Sequence, residues 1–119
     1  MPDTQLHAGS CHCGQIRFEV ETDLKSIIAC NCSICSKTGV LLTFAPADAF
    51  RITSGRDALV EYKFNTNVIR HLHCPTCGVE PFARGVAPDG KEMAAVNVRC
   101  LDDVDVTTLT PMPFDGRSR

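Results

Sequence analysis

The chain has 119 residues, with 12 basic and 14 acidic side chains for a formal charge of -2, 6% aromatic residues and no tryptophan. That length supports one domain with a modest core. The charge balance and the lack of any lysine–arginine run argue against a nucleic-acid surface, and no stretch approaches the roughly 18 apolar residues of a membrane span.

The first residues, Met1-Pro2-Asp3-Thr4-Gln5-Leu6-His7, lack a basic start followed by an apolar signal segment, so a cytoplasmic location is expected. Ile16-Arg17-Phe18-Glu19-Val20-Glu21 alternates apolar and charged residues and predicts a half-buried strand. Ser26 to Ala29 predicts a short strand leading into the cluster Cys30-Asn31-Cys32-Ser33-Ile34-Cys35, which reads with Gly39 as a turn or a single helical turn. Val40 to Phe44 predicts a core strand, limited by Pro46. Phe50 to Thr53 follows, then a turn over Ser54-Gly55-Arg56-Asp57. The segments 59–64 and 68–72 predict a hairpin around Asn65-Thr66-Asn67. Phe82 to Val86 predicts a strand before the turn Pro88-Asp89-Gly90, and 93–99 alternates weakly up to Cys100. The segment after Leu109 contains Pro111 and Pro113 and is expected outside the sheet. No long amphipathic helix emerges, so the fold class is mainly β.

Eight cysteines in such a chain need an account. Disulfides are uncommon in a reducing cytosol, and Cys74-Pro75-Thr76-Cys77 lacks the strand-to-helix setting of a redox dithiol. Zinc fits best, because thiolates at tight spacing converge on one tetrahedral ion. Cys74 and Cys77 form a strong knuckle, and Cys11-His12-Cys13-Gly14 is its natural complement. Such a long closure supplies folding energy to a small sheet protein. Cys30, Cys32 and Cys35 can meet a second ion if their loop curls, which gives three protein ligands and one position for chemistry. Cys100 either completes that site or is a buried thiol ending an apolar segment, and spacing alone does not separate the two.

Among the histidines, His12 sits between two proposed ligands and is expected to point outward. His71 and His73 fall on one strand face, where each is either a proton carrier near neutral pH or a partly exposed strand residue. His7 has no supporting context, and Asp102-Asp103 reads most plainly as a solvated turn.

Together, Gly9-Ser10-Cys11-His12-Cys13-Gly14, Cys30-Asn31-Cys32-Ser33-Ile34-Cys35 and Cys74-Pro75-Thr76-Cys77-Gly78 resemble the family of glutathione-dependent formaldehyde-activating enzymes and centromere protein V. Segments 62–66, 78–82 and 96–102 look more like its short centromere protein V type. The resemblance implies a β-tent of small antiparallel sheets stapled by zinc, as a single domain over 1–119 with its core at about 6–103. It aligns Cys11, Cys13, Cys74 and Cys77 with structural zinc ligands, and Cys30, Cys32 and Cys35 with the ligands of a second, more labile zinc. Cys100 falls in a recurring Cys-Leu-Asp segment outside both sets. The chain departs from the family at His73, where phenylalanine is usual, and at Ala83, where the short type commonly has tyrosine.

The function this implies is a zinc-dependent carbon–sulfur lyase acting on adducts of a small thiol such as glutathione with an aldehyde. Cys30, Cys32 and Cys35 are then the catalytic centre and His73 the proton carrier. Lys37 either meets a carboxylate of the thiol or simply faces solvent. The competing expectation is a non-catalytic, zinc-stabilised interaction module.

Overall fold

The computed structural model describes residues 4–63, 69–87 and 89–115. Its strands in chain order are β1 (Gln5–Ser10), β2 (Arg17–Thr22), β3 (Ile28–Cys30), β4 (Leu42–Pro46), β5 (Phe50–Ser54), β6 (Val60–Tyr62), β7 (Arg70–His73), β8 (Phe82–Val86), β9 (Glu92–Asn97) and β10 (Met112–Phe114), with one short helix, α1 (Cys35–Thr38). The fold is mainly β, as its alternating segments predict. One sheet has three strands in the order β1-β2-β5, and the other has seven in the order β10-β3-β4-β9-β8-β7-β6.

The alternation of β2 puts Phe18, Val20 and Thr22 inside and leaves charged residues toward solvent. Phe18 on β2 and Phe50 on β5 then meet Phe82 on β8, so three rings join the two sheets. Their centroids lie 5.5, 5.9 and 4.6 Å apart, two of the pairs edge-on. Such contacts add about 0.5–1.5 kcal/mol per pair beyond burial. Ile16, Val20, Val96 and Val98 close the core around them.

Several boundaries differ from the pattern-based expectation for physical reasons. β1 escapes a hydrophobic reading because its buried positions are His7 and Gly9 while Leu6 faces out. The strand expected at 26–29 is β3, and that expected at 40–44 runs later, as β4. Pro46 does end β4; it pairs only with Met93, since the β3 side of the pairing reaches no further than Leu42. β9 stops at Asn97, and Val98–Cys100 forms a 3-10 turn. The expectation that the segment after Leu109 lies outside the sheet is corrected: Met112–Phe114 pairs in parallel with β3. Met112 N–H donates to Ile27 O at 2.8 Å and Asn31 N–H donates to Phe114 O at 3.1 Å, so Pro113 sits on an edge strand at a position that needs no donor. β6 and β7 pair antiparallel as predicted, while their connecting loop at 64–68 lies outside the described residues, as does Pro88 of the next turn.

Candidate metal centres and the cavity beside them

The two cysteine pairs at the ends of the sequence pattern are hairpin turns. Cys11 to Gly14 turns β1 into β2, closed by Cys11 N–H to Ile16 O at 3.0 Å and Gly14 N–H to Cys11 O at 3.2 Å. Cys74 to Gly78 turns β7 toward β8, with Gly78 N–H to Cys74 O at 2.9 Å. Both turns finish on a glycine at positive φ, +82° and +80°, a conformation that costs other residues strain. One hairpin belongs to each sheet, and their tips bring four sulfurs within 4.8 Å of one another.

The donor set fits a tetrahedral ion. Sulfurs at ~2.3 Å from a zinc stand about 3.8 Å apart; Cys11 Sγ and Cys13 Sγ are 3.7 Å apart, and Cys13 Sγ and Cys74 Sγ 3.6 Å. These gaps also exceed a disulfide bond, and all eight cysteines are unpaired. Backbone N–H groups of Ile16 and Thr76 point at Cys11 Sγ and Cys74 Sγ, at 3.3 and 3.4 Å. Such donors favour thiolate, and the N–H of Val79 is the leading cause holding the Cys77 thiol down to about 6. Gln15 bridges the two tips, with its Oε1 2.7 Å from Thr76 Oγ1 and 3.4 Å from Cys74 Sγ.

Cys30, Cys32 and Cys35 form a second cluster with all three sulfurs within 4.8 Å. Cys30 ends β3, and the loop curls so that Cys35 opens α1, where Ser36 N–H and Gly39 N–H bond the carbonyls of Cys32 and Cys35 at 2.9 Å each. Gly39 ends the helix in the left-handed region. The N–H groups of Cys32 and Cys35 donate to Cys30 Sγ and Cys32 Sγ at 3.4 Å each. Burial pushes the Cys35 thiol far up, reinforced by the Cys32 sulfur. Burial also pushes on Cys32, but the Cys35 N–H and the neighbouring donors outweigh it, so Cys32 is the more acidic of the two. Among the described residues no fourth cysteine, histidine or carboxylate joins this cluster.

A cavity of about 880 Å³ lies beside both clusters. Ser10, His12 and Gly78 wall it near the four-cysteine tips, and Ile34, Thr38 and Val40 wall it near the three-cysteine loop. None of the seven clustered cysteines is among the lining residues. His71 and His73, two apart on β7, both line the cavity. His71 is buried and pairs with Glu80, Nδ1 to Oε2 at 3.3 Å. Lys37 is exposed on α1 and is not among the lining residues.

Cys100 lines the cavity, half-buried and apart from both clusters, and burial pushes its thiol up to about 12. His7 has a partner after all, Asp103 at 3.0 Å, a contact that also holds the Asp103 carboxyl below its ordinary range. Asp102 stays exposed at the cavity edge. Two polar wall residues, Glu80 and Asn97, went unread in sequence. The buried Asn97 donates to Glu80 O at 3.0 Å and accepts from the N–H groups of Arg99 and Leu41 at 3.2 and 3.4 Å, which ties three segments of the wall together. The signal in sequence was an amide inside the apolar run Ala94-Ala95-Val96-Asn97-Val98, since a buried amide must find partners.

Residues 6–113 match the family described as Glutathione-dependent formaldehyde-activating enzyme. A crystal structure of a Rhodobacter sphaeroides protein is similar, with a TM-score of 0.79 and 30% identity, covering 89% of this chain and 97% of that one. With nearly the whole described fold and both cysteine clusters inside the matched span, the chain belongs to the family of the glutathione-dependent formaldehyde-activating enzyme.

Proposed function

We propose that the protein is a carbon–sulfur lyase that makes and breaks the adduct of a small thiol, of the glutathione kind, with an aldehyde such as formaldehyde. Cys11, Cys13, Cys74 and Cys77 hold a structural zinc in this reading, and Cys30, Cys32 and Cys35 hold an exchangeable one. The observation that carries it is the three-membered cluster beside a large cavity, because three protein ligands leave one position for a substrate sulfur. Zinc bound there supplies a Lewis acid that lowers the pKa of the incoming thiol.

The chain's own residues do the rest. Ile34, Thr38 and Val40 present an apolar-to-neutral wall on the cluster side, and Arg99 and Asp102 offer charges of both signs to a zwitterionic thiol. Lys37, two residues beyond Cys35 on α1, meets a carboxylate of that thiol from outside the cavity. His73 stands on the wall next to Cys74, within reach of the same space.

Calorimetry of the zinc-loaded protein with glutathione tests this reading, paired with carbon-13 exchange NMR of the glutathione–formaldehyde adduct. Glutathione should bind, adduct exchange should accelerate, and Cys32→Ser should lose both while keeping the fold. Binding without acceleration would instead favour the non-catalytic module.

A further inference from the structure

The reaction proposed above moves a proton as well as a sulfur. Addition forms the C–S bond from the sulfur lone pair, sends the carbonyl π pair to oxygen, and leaves an alkoxide that must be protonated. Cleavage is the reverse: the hydroxyl loses its proton, the carbonyl re-forms, and the C–S pair returns to sulfur. Cys30, Cys32 and Cys35 would hold the zinc that takes the sulfur; some group in the cavity must serve the oxygen.

We infer that His71 is the catalytic residue that exchanges this proton, with Glu80 as its positioning residue. The inference rests on the lyase reading and gives the proton-carrier role, expected of His73 from sequence, to His71 instead. Both side chains line the cavity and are nearly sealed from bulk water, at 9% and 10% exposure. A carboxylate only accepts, so the 3.3 Å contact puts the ring hydrogen on Nδ1 and makes Nε2 the basic nitrogen of the neutral imidazole. That is the tautomer a general base needs, held by a group that also steadies the imidazolium formed when the proton arrives.

The supporting wall is itself fixed. Asn97 holds the Glu80 carbonyl at 3.0 Å, and Pro81, which follows, is fully buried. His71 stands in register between Tyr62 on β6 and Ala83 on β8. Residues directly opposite share a sheet face, so the small Ala83 beside His71 leaves room on that face where tyrosine would crowd the ring. His73 lines the same cavity, but its sequence neighbour Cys74 ties it to the knuckle, and it has no carboxylate partner among the described residues comparable to Glu80.

The test uses zinc-loaded full-length protein, glutathione and carbon-13 formaldehyde. His71→Asn should lower kcat for adduct exchange about 100-fold, with KM and zinc content nearly unchanged and with activity partly restored by added imidazole. Glu80→Gln should lower kcat by about 10-fold or more, and Glu80→Asp should recover part of it. Independently of turnover, nitrogen-15 spectra without substrate should show hydrogen on His71 Nδ1 in the wild type and a changed tautomer balance in Glu80→Gln. If the wild type does not accelerate exchange, the lyase reading falls and this inference with it. If the wild type is active and His71→Asn keeps its kcat, or His71 carries its hydrogen on Nε2, the inference alone falls. Should His71→Asn fail to fold, Glu80→Gln decides: a lowered kcat at unchanged thiol affinity supports the pair, and an unchanged kcat overturns it.

Discussion

At the scale of single residues, the eight cysteines divide by what surrounds each sulfur. Cys77 is in the four-membered cluster and pointed at by a backbone N–H, so its serine variant should lose the metal from that site. Structural zinc contributes about 10–16 kcal/mol in small metal domains, comparable to the whole stability of a typical domain. Cys77→Ser should therefore show no cooperative thermal transition near that of the wild type and should copurify with less zinc; an unchanged melting temperature would contradict the assignment. Cys100 behaves in the opposite way. Its folded pKa lies at about 12, raised by burial from an ordinary 9.0, so the unfolded chain ionises first as pH rises. The stability associated with its protonated form is present below pH 9 and is lost as pH climbs through the folded value. Cys100→Ala should flatten the alkaline fall of stability between pH 9 and 12, and intact protein at about pH 8 should resist alkylation at Cys100. Rapid modification there at full zinc loading would show the thiol to be exposed and ionised.

At the scale of elements, what could be read in sequence follows from the chemistry of each segment. The β2 strand was legible because Phe18 and Val20 alternate with charges. The hairpin tips were legible because two closely spaced cysteines followed by a glycine mark a turn able to hold a metal in the local sequence alone. β1 was hidden because an inward histidine with a carboxylate partner looks polar on paper, yet His7 is satisfied by Asp103 from the far end of the chain. β10 was hidden by its prolines, since only the pairing geometry reveals that Met112 and Asn31 supply the donors that Pro113 lacks. The same limit applied to the site. Ligand sets could be inferred from spacing, but Glu80 and Asn97 acquire their roles only through contacts that join separate segments.

The place of β10 has its own consequence. Phe114 lies in register with Cys30, and its carbonyl binds the N–H of Asn31, so this edge strand braces the start of the three-cysteine loop. Removing residues 110–119 should speed zinc release from Cys30, Cys32 and Cys35 to a chelator while leaving the four-cysteine zinc in place. Biphasic release kinetics would check this; equal acceleration of both phases would point to general loosening of the fold.

At the scale of the whole molecule, two sheets meet through three phenylalanines on the inside and two hairpin tips at one end, with the cavity beside that junction. Phe18, Phe50 and Phe82 stabilise the layered core, and the four sulfurs gather where the tips of the two hairpins meet. None of the helices among the described residues is long and apolar enough to cross a membrane. The three-cysteine loop hangs from the large sheet alone, between β3 and β4, so a metal bound there would leave without separating the layers. In the proposed reading one cluster is a staple and the other a receptor for substrate sulfur. Cobalt(II) replacement tests that division directly, because each tetrahedral thiolate site gives its own visible and charge-transfer bands. With both sites filled, adding glutathione should shift the bands of the three-cysteine site and leave those of the four-cysteine site unchanged, and Cys32→Ser should abolish the shift. A spectrum indifferent to glutathione, or a shift that survives Cys32→Ser, would contradict the claim.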